Sequence, residues 1–164
     1  MRIFTGEYGI IDGSLCGSYP IYRNANLIEG IVILSRRFKV WLFGTRIFLI
    51  CPVRNASKEQ IQEIHEYVSK LEKEGYKVYW PYRDTNQKND NIGFRICTDN
   101  KKAIKRANEI HIFWDKDSQG SLFDLGMAFA FKKQIIIANR VEETPTKSFA
   151  NMVKYWHGLG DTII

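Results

Sequence analysis

Asp124, in the run Ser118-Gln-Gly-Ser-Leu-Phe-Asp-Leu-Gly126, and Arg54, in Cys51-Pro-Val-Arg-Asn-Ala-Ser57, are the side chains whose type and setting point to chemistry. Ser121-Leu-Phe-Asp124 has the spacing of a capping box, which puts Asp124 in a first helical turn, satisfying a free amide and kept ionised by the helix dipole. An ionised carboxylate is also what a nucleophile must be, so spacing leaves cap and nucleophile both open. Arg54 sits among backbone amides at a helix start, a natural place for a phosphate or carboxylate. A surface charge beside a cap fits it equally well.

The remaining reactive residue types offer less. His111 lies between Ile110 and Ile112, as a core imidazole would; His65 borders an apolar helical stripe and His157 is near the tail. No His-Cys-Asp cluster has metal-ligand spacing, so no metal is expected. Cys16, Cys51 and Cys97 form an odd set without a CxxC pair, the pattern of reduced thiols. Trp80, Tyr82, Phe113 and Trp114 fall at predicted strand ends, some as core and those at the rim able to stack on a flat base, while Tyr82-Arg-Asp84-Thr-Asn86 reads either as polar contacts beside them or as a plain turn.

The elements that must position these residues are regular from Arg46 onward. Residues 47–51 form an apolar run of the length of a strand buried on both faces, stopped by Pro52. Ser57 and Gln60 make a capping box, after which Ile61, Ile64, Val68 and Leu71 recur at helical spacing until Gly75. Residues 77–80 read as a second strand ended by Pro81, 82–91 as a polar loop, 93–107 as a helix and 109–114 as a third strand. A helix through Asp124, the β-branched run 134–138, a last helix at 148–156 and a fifth strand at 162–164 complete the order. Such alternation predicts a flavodoxin-like, doubly wound α/β fold with about five parallel strands. In it the loops after strands one and three open at one sheet edge, where such folds bind ligands.

Residues 1–45 differ. Their glycines and Pro20 signal turns, and 27–34 and 38–43 read as a hairpin, giving an irregular or β-rich extension ahead of an α/β domain at 46–164. With 164 residues the chain has the length of one domain, and 45% hydrophobic and 26% charged residues are ordinary for a globular protein. The net charge of +6 is dispersed among acids, which argues against a dedicated nucleic-acid surface. Neither a membrane-spanning run nor the order of a secretory signal is found, so a cytoplasmic protein is expected.

Three stretches resemble the nucleoside 2-deoxyribosyltransferases and the related 2′-deoxynucleoside 5′-phosphate N-hydrolases, over about residues 46–139. Cys51-Pro-Val-Arg54 is similar to the hydrolases' first strand exit, and Asn100-Lys-Lys-Ala-Ile-Lys-Arg-Ala-Asn108 to the family's second helix. Most specific are Ser118, Gly120, Asp124-Leu-Gly126, Ala128, Ala130 and Lys132-Lys133, which resemble a Glu-Leu-Gly motif with its flanking alanines and Lys-Pro. The resemblance implies that Asp124 attacks the anomeric carbon of a sugar. It also implies that Ser118, with Arg54, holds a 5′-phosphate and that Asn100 or Asp99 fills a usually acidic position. Asp124 is one methylene shorter than the family's Glu and must sit about an ångström closer to the sugar, a displacement that matters to rate.

The expectation is thus a small enzyme that cleaves or exchanges the N-glycosidic bond of a (deoxy)nucleoside or its 5′-monophosphate without a cofactor. Asp124 is its nucleophile, and Arg54, Tyr82, Asp84, Asp99, Asn100, Ser118 and Gly120 contact substrate. A homodimer or higher homo-oligomer is expected. The rival readings are a non-catalytic nucleotide-binding module on this scaffold and a plain oligomeric scaffold with a capped helix at Asp124.

Overall fold

The computed structural model describes residues 44–160. Their elements run β1 (Arg46–Ile50), α1 (Lys58–Lys73), β2 (Lys77–Tyr79), α2 (Pro81–Asp84), α3 (Phe94–Arg106), β3 (Glu109–Ile112), α4 (Gln119–Ala130), β4 (Gln134–Ile137) and α5 (Phe149–Gly158). The strands form one parallel sheet in the order β2-β1-β3-β4. This is the doubly wound, flavodoxin-like arrangement, with four strands among the described residues. The expected fifth strand at 162–164 and the hairpin at 27–34 and 38–43 lie outside them.

Side chains alternate along each strand, and because both faces are covered both sets are apolar. Phe48, Ile50, Ile110, Ile112 and Ile135 meet Ile104 of α3, Leu125 and Ala128 of α4, and Val153 and Trp156 of α5. Ile47, Leu49, Val78 and Phe113 meet Ile64, Val68 and Leu71 of α1 on the other face. Each fully buried isoleucine or phenylalanine here stabilises the fold by about 1.5–3 kcal/mol. The capping box at α1 forms as its sequence requires, with Gln60 N donating to Ser57 Oγ at 3.2 Å and Ser57 N to Gln60 Oε1 at 2.9 Å.

From β1 the chain steps outward to β2, then returns past β1 to β3 and β4. The connections leaving β1 and β3 therefore pass to opposite faces, and the carboxyl ends of these two strands open a crevice between them. Cys51 and Phe113 mark those ends. Beyond β3 the backbone is anchored by Asn139, whose Oδ1 accepts from Trp114 N at 2.7 Å and whose Nδ2 donates to Trp114 O at 3.0 Å.

The segment after β2 differs from the sequence expectation. Pro81 ends β2 but begins a helical turn instead of an irregular loop, because proline is pre-organised for a first helical position. Asp84 closes that turn by accepting from Trp80 N at 2.8 Å. No helix among the described residues is long and apolar enough to cross a membrane.

Candidate active site

The helix carrying Asp124 begins three residues earlier than its sequence suggests. Ser118, not Ser121, is the N-cap: its Oγ accepts from Ser121 N at 3.3 Å and lies 2.8 Å from Ser121 Oγ. Asp124 consequently falls in the second turn of α4 and caps nothing. The capping-box reading fails because Gln119 and Gly120 already have helical geometry, which leaves Ser118 as the residue at the boundary.

Asp124 turns instead into the protein. Its side chain is buried, and Oδ2 accepts a hydrogen bond from Asn100 Nδ2 on α3 at 3.0 Å. Burial pushes its pKa up to about 7, with the Asn100 bond pulling the other way. The helix dipole therefore does not keep this carboxyl fully ionised, as its sequence position had suggested; desolvation outweighs it. A carboxyl poised near neutrality changes charge under physiological conditions, as acid–base and nucleophilic groups do.

Asn100 is itself held. Its Oδ1 accepts from Thr85 Oγ1 at 2.9 Å, and the Tyr79 hydroxyl lies 2.8 Å from the same Thr85 oxygen. Thr85 and Asn100 are buried like Asp124. Tyr79 stacks on Phe48, its register partner across β1 and β2, with ring centroids 5.5 Å apart and planes 15° from parallel. Tyr79 and Thr85 carry no motif of their own; only the approach of β2, the α2 end and α3 brings them together.

Two thiols lie within electrostatic reach of Asp124. Burial pushes the Cys51 thiol up to about 12, and the Asp124 carboxylate adds to that rise against an opposing contribution from Trp80. Cys97, in the first turn of α3, is also raised, by burial first and then by Asp124 and Asp90, while Arg54 works the other way. Arg54 is exposed on the loop after β1, and its Nη2 lies 3.5 Å from where a Cβ on Gly93 would stand. Gly93 is the N-cap of α3 with φ of 82°, a left-handed conformation suited to glycine. Asp90 accepts from Gly93 N and Ile96 N at 2.9 Å each, so this helix start already holds a carboxylate.

The other expected contacts have mixed fates. Tyr82 is exposed and stacks on the buried Trp80 with centroids 5.2 Å apart. Both Asp84 oxygens are engaged, by Trp80 N and by Arg83, which also donates to Glu72 and to Val78 O. Asp99 pairs with Lys102 on the surface at 3.2 Å. Gly120 lies open, with no atom within 4 Å of an added Cβ. Trp80 and Phe113 belong to the core under α1, and His111 is buried there with its Nδ1 2.7 Å from the Tyr67 hydroxyl. Among the described residues no group of three or more His, Cys, Asp or Glu is placed to hold a metal ion.

No protein-family model matches the chain, and no curated protein matches it. Among solved structures it is similar to the CMP N-glycosidase BcmB of Clostridium botulinum, at 25% identity over 57% of this chain and 70% of that one, with a TM-score of 0.41. It is also similar to a 2-deoxyribosyltransferase from the psychrotolerant bacterium Bacillus psychrosaccharolyticus, at 15% identity over 68% of this chain and 92% of that one, with a TM-score of 0.50. The second likeness is one of fold: this chain shares the α/β architecture of a 2-deoxyribosyltransferase.

Proposed function

We propose that the protein cleaves or exchanges the N-glycosidic bond of a nucleoside or nucleoside 5′-monophosphate, with Asp124 as the attacking group. The observation that carries this reading is Asp124 itself: a buried carboxyl, oriented by Asn100, near the carboxyl end of β1 where a doubly wound sheet binds ligands. The shared fold of a 2-deoxyribosyltransferase supports it. In the reaction, an ionised Asp124 oxygen forms a bond to the anomeric carbon as the bond from that carbon to the base nitrogen breaks. The base leaves with the bonding electrons and takes up a proton. Water or a second base then displaces the carboxylate.

Arg54, Ser118 and the amides after Pro52 supply the phosphate-binding groups in this reading. No carboxylate among the described residues forms an ion pair with Arg54, so its charge is available to a ligand. Tyr82 offers an exposed aromatic surface, whereas Asp84 and Asp99 are committed to other partners.

The test is incubation of the full chain with ribo- and deoxyribonucleosides and their 5′-monophosphates, with chromatography for free base. Release that disappears in Asp124→Asn supports the assignment. Binding without release by the wild type favours the nucleotide-binding module instead.

A further inference from the structure

Tyr79, Thr85, Asn100 and Asp124 form a continuous chain of side-chain hydrogen bonds of 2.8, 2.9 and 3.0 Å across β2, the end of α2, α3 and α4. The available protons give this chain a direction. Asn100 Oδ1 only accepts, so Thr85 must spend its single hydroxyl proton there. Tyr79 must then donate to Thr85. Every bond points toward Asp124, and bonds aligned in one sense polarise one another.

We propose that Thr85, seated by Tyr79, is a positioning residue: it locks the Asn100 amide so that its N–H meets Asp124 Oδ2, leaving Oδ1 as the oxygen directed to the sugar. Among the described residues Oδ1 has no protein donor. Were the amide turned over, its oxygen would face the Asp124 oxygen in a buried setting, two acceptors with no proton between them whenever Asp124 is ionised. The ionised carboxylate of Asp124 disfavours that arrangement, and Thr85, while its oxygen is occupied by the Tyr79 proton, presents its own proton to Asn100 and so favours the same orientation. The Tyr79 ring is fixed by its stack on Phe48, so the orientation of the amide traces back to the β1–β2 register. The two thiols that Asp124 helps to raise, Cys51 on the β1 side and Cys97 on α3, lie outside this chain of bonds.

The catalytic half of the inference rests on Asp124 being the reacting carboxylate; the orienting half does not. Thr85→Val keeps shape and removes the donor, Thr85→Ser restores it, and Tyr79→Phe removes one oxygen. Carboxyl carbon NMR of the full chain follows the titration of Asp124 in each variant, and base release gives kcat and KM. Thr85→Val should raise the Asp124 midpoint by about one pH unit and lower kcat about tenfold with KM nearly unchanged, and Thr85→Ser should return both toward wild type. An unchanged midpoint in Thr85→Val overturns the inference even if the protein releases no base, since the titration needs no turnover. A shifted midpoint with unchanged kcat in an active protein overturns the catalytic half. Should Thr85→Val fail to fold, Tyr79→Phe is judged by the same two criteria with a smaller shift of the same sign.

Discussion

Asn100 Nδ2 donates to Asp124 Oδ2 at 3.0 Å, joining α3 to α4 through two polar side chains that are both buried. An unpaired polar group in either place would be costly, so each residue is a condition for the other. The pair also takes Asp124 away from helix capping and makes reactivity separable from stability by substitution.

Asp124→Asn still offers Asn100 an amide oxygen but is a very poor nucleophile. Base release should fall at least about 1000-fold, while circular dichroism and ligand affinity remain near wild type. An Asp124→Asn protein as fast as wild type would return the carboxylate to a structural role.

The titration of Asp124 sets a pH dependence of known sign. Its usual pKa of 3.8 is raised to about 7 in the folded protein by burial. Below about pH 4 it is protonated in both states and its burial carries no charge penalty. As pH rises from there toward 7, the unfolded chain ionises and the folded one resists, so stability falls relative to Asp124→Asn and then levels off. The gap should reach a few kcal/mol, because each tenfold change in proton affinity is worth about 1.4 kcal/mol. Urea unfolding of both proteins at pH 4, 6 and 8 measures it, and parallel stabilities across that range would show that Asp124 titrates normally. Base release should show the opposite slope, rising with pH and flattening above about 7 as the carboxylate forms.

Arg54→Ala should weaken a nucleoside monophosphate about tenfold or more and hardly change the parent nucleoside, because a bond to a charged group contributes about 1.5–3 kcal/mol. Calorimetric titration with matched pairs of ligands reads this directly. Equal loss for both would mean that Arg54 does not recognise phosphate.

Asn139→Ala removes both side-chain bonds to the Trp114 backbone, at 2.7 and 3.0 Å. A loss of about 1–3 kcal/mol in unfolding free energy is expected. A stability within about 0.5 kcal/mol of wild type would show that this anchor is dispensable.

Much of the scaffold was legible because local and global requirements agree. The apolar run at β1, the Ser57–Gln60 capping box and the stripe through Ile64, Val68 and Leu71 each announce one element, and their alternation implies the parallel sheet. Asp124 and Asn100 were legible as candidates from their motifs, but their contact was not, since it joins helices 24 residues apart in sequence. The burial of Asp124 was masked by a rival serine: Ser118 and Ser121 are both good caps, and only the start of α4 decides between them. Thr85 looked like loop polarity and Tyr79 like strand composition. Asp84 looked available for a ligand because nothing local reveals that Arg83 reaches across to Glu72 and secures it at 2.7 Å.

The parallel pairing of β1 with β3 has a consequence in time. The chain between them closes a long loop, recorded by the bond from Arg46 N to Asn108 Oδ1 across 62 residues. Helices of this length form within about a microsecond, whereas such a closure costs chain entropy before any contact offsets it. The loop that carries Arg54 and the helices that carry Asn100 and Asp124 take their places around β1 and β3, and so after this pairing is made. Recovery of the site after dilution from denaturant should therefore follow the slow docking of strands and lag the early return of helical signal.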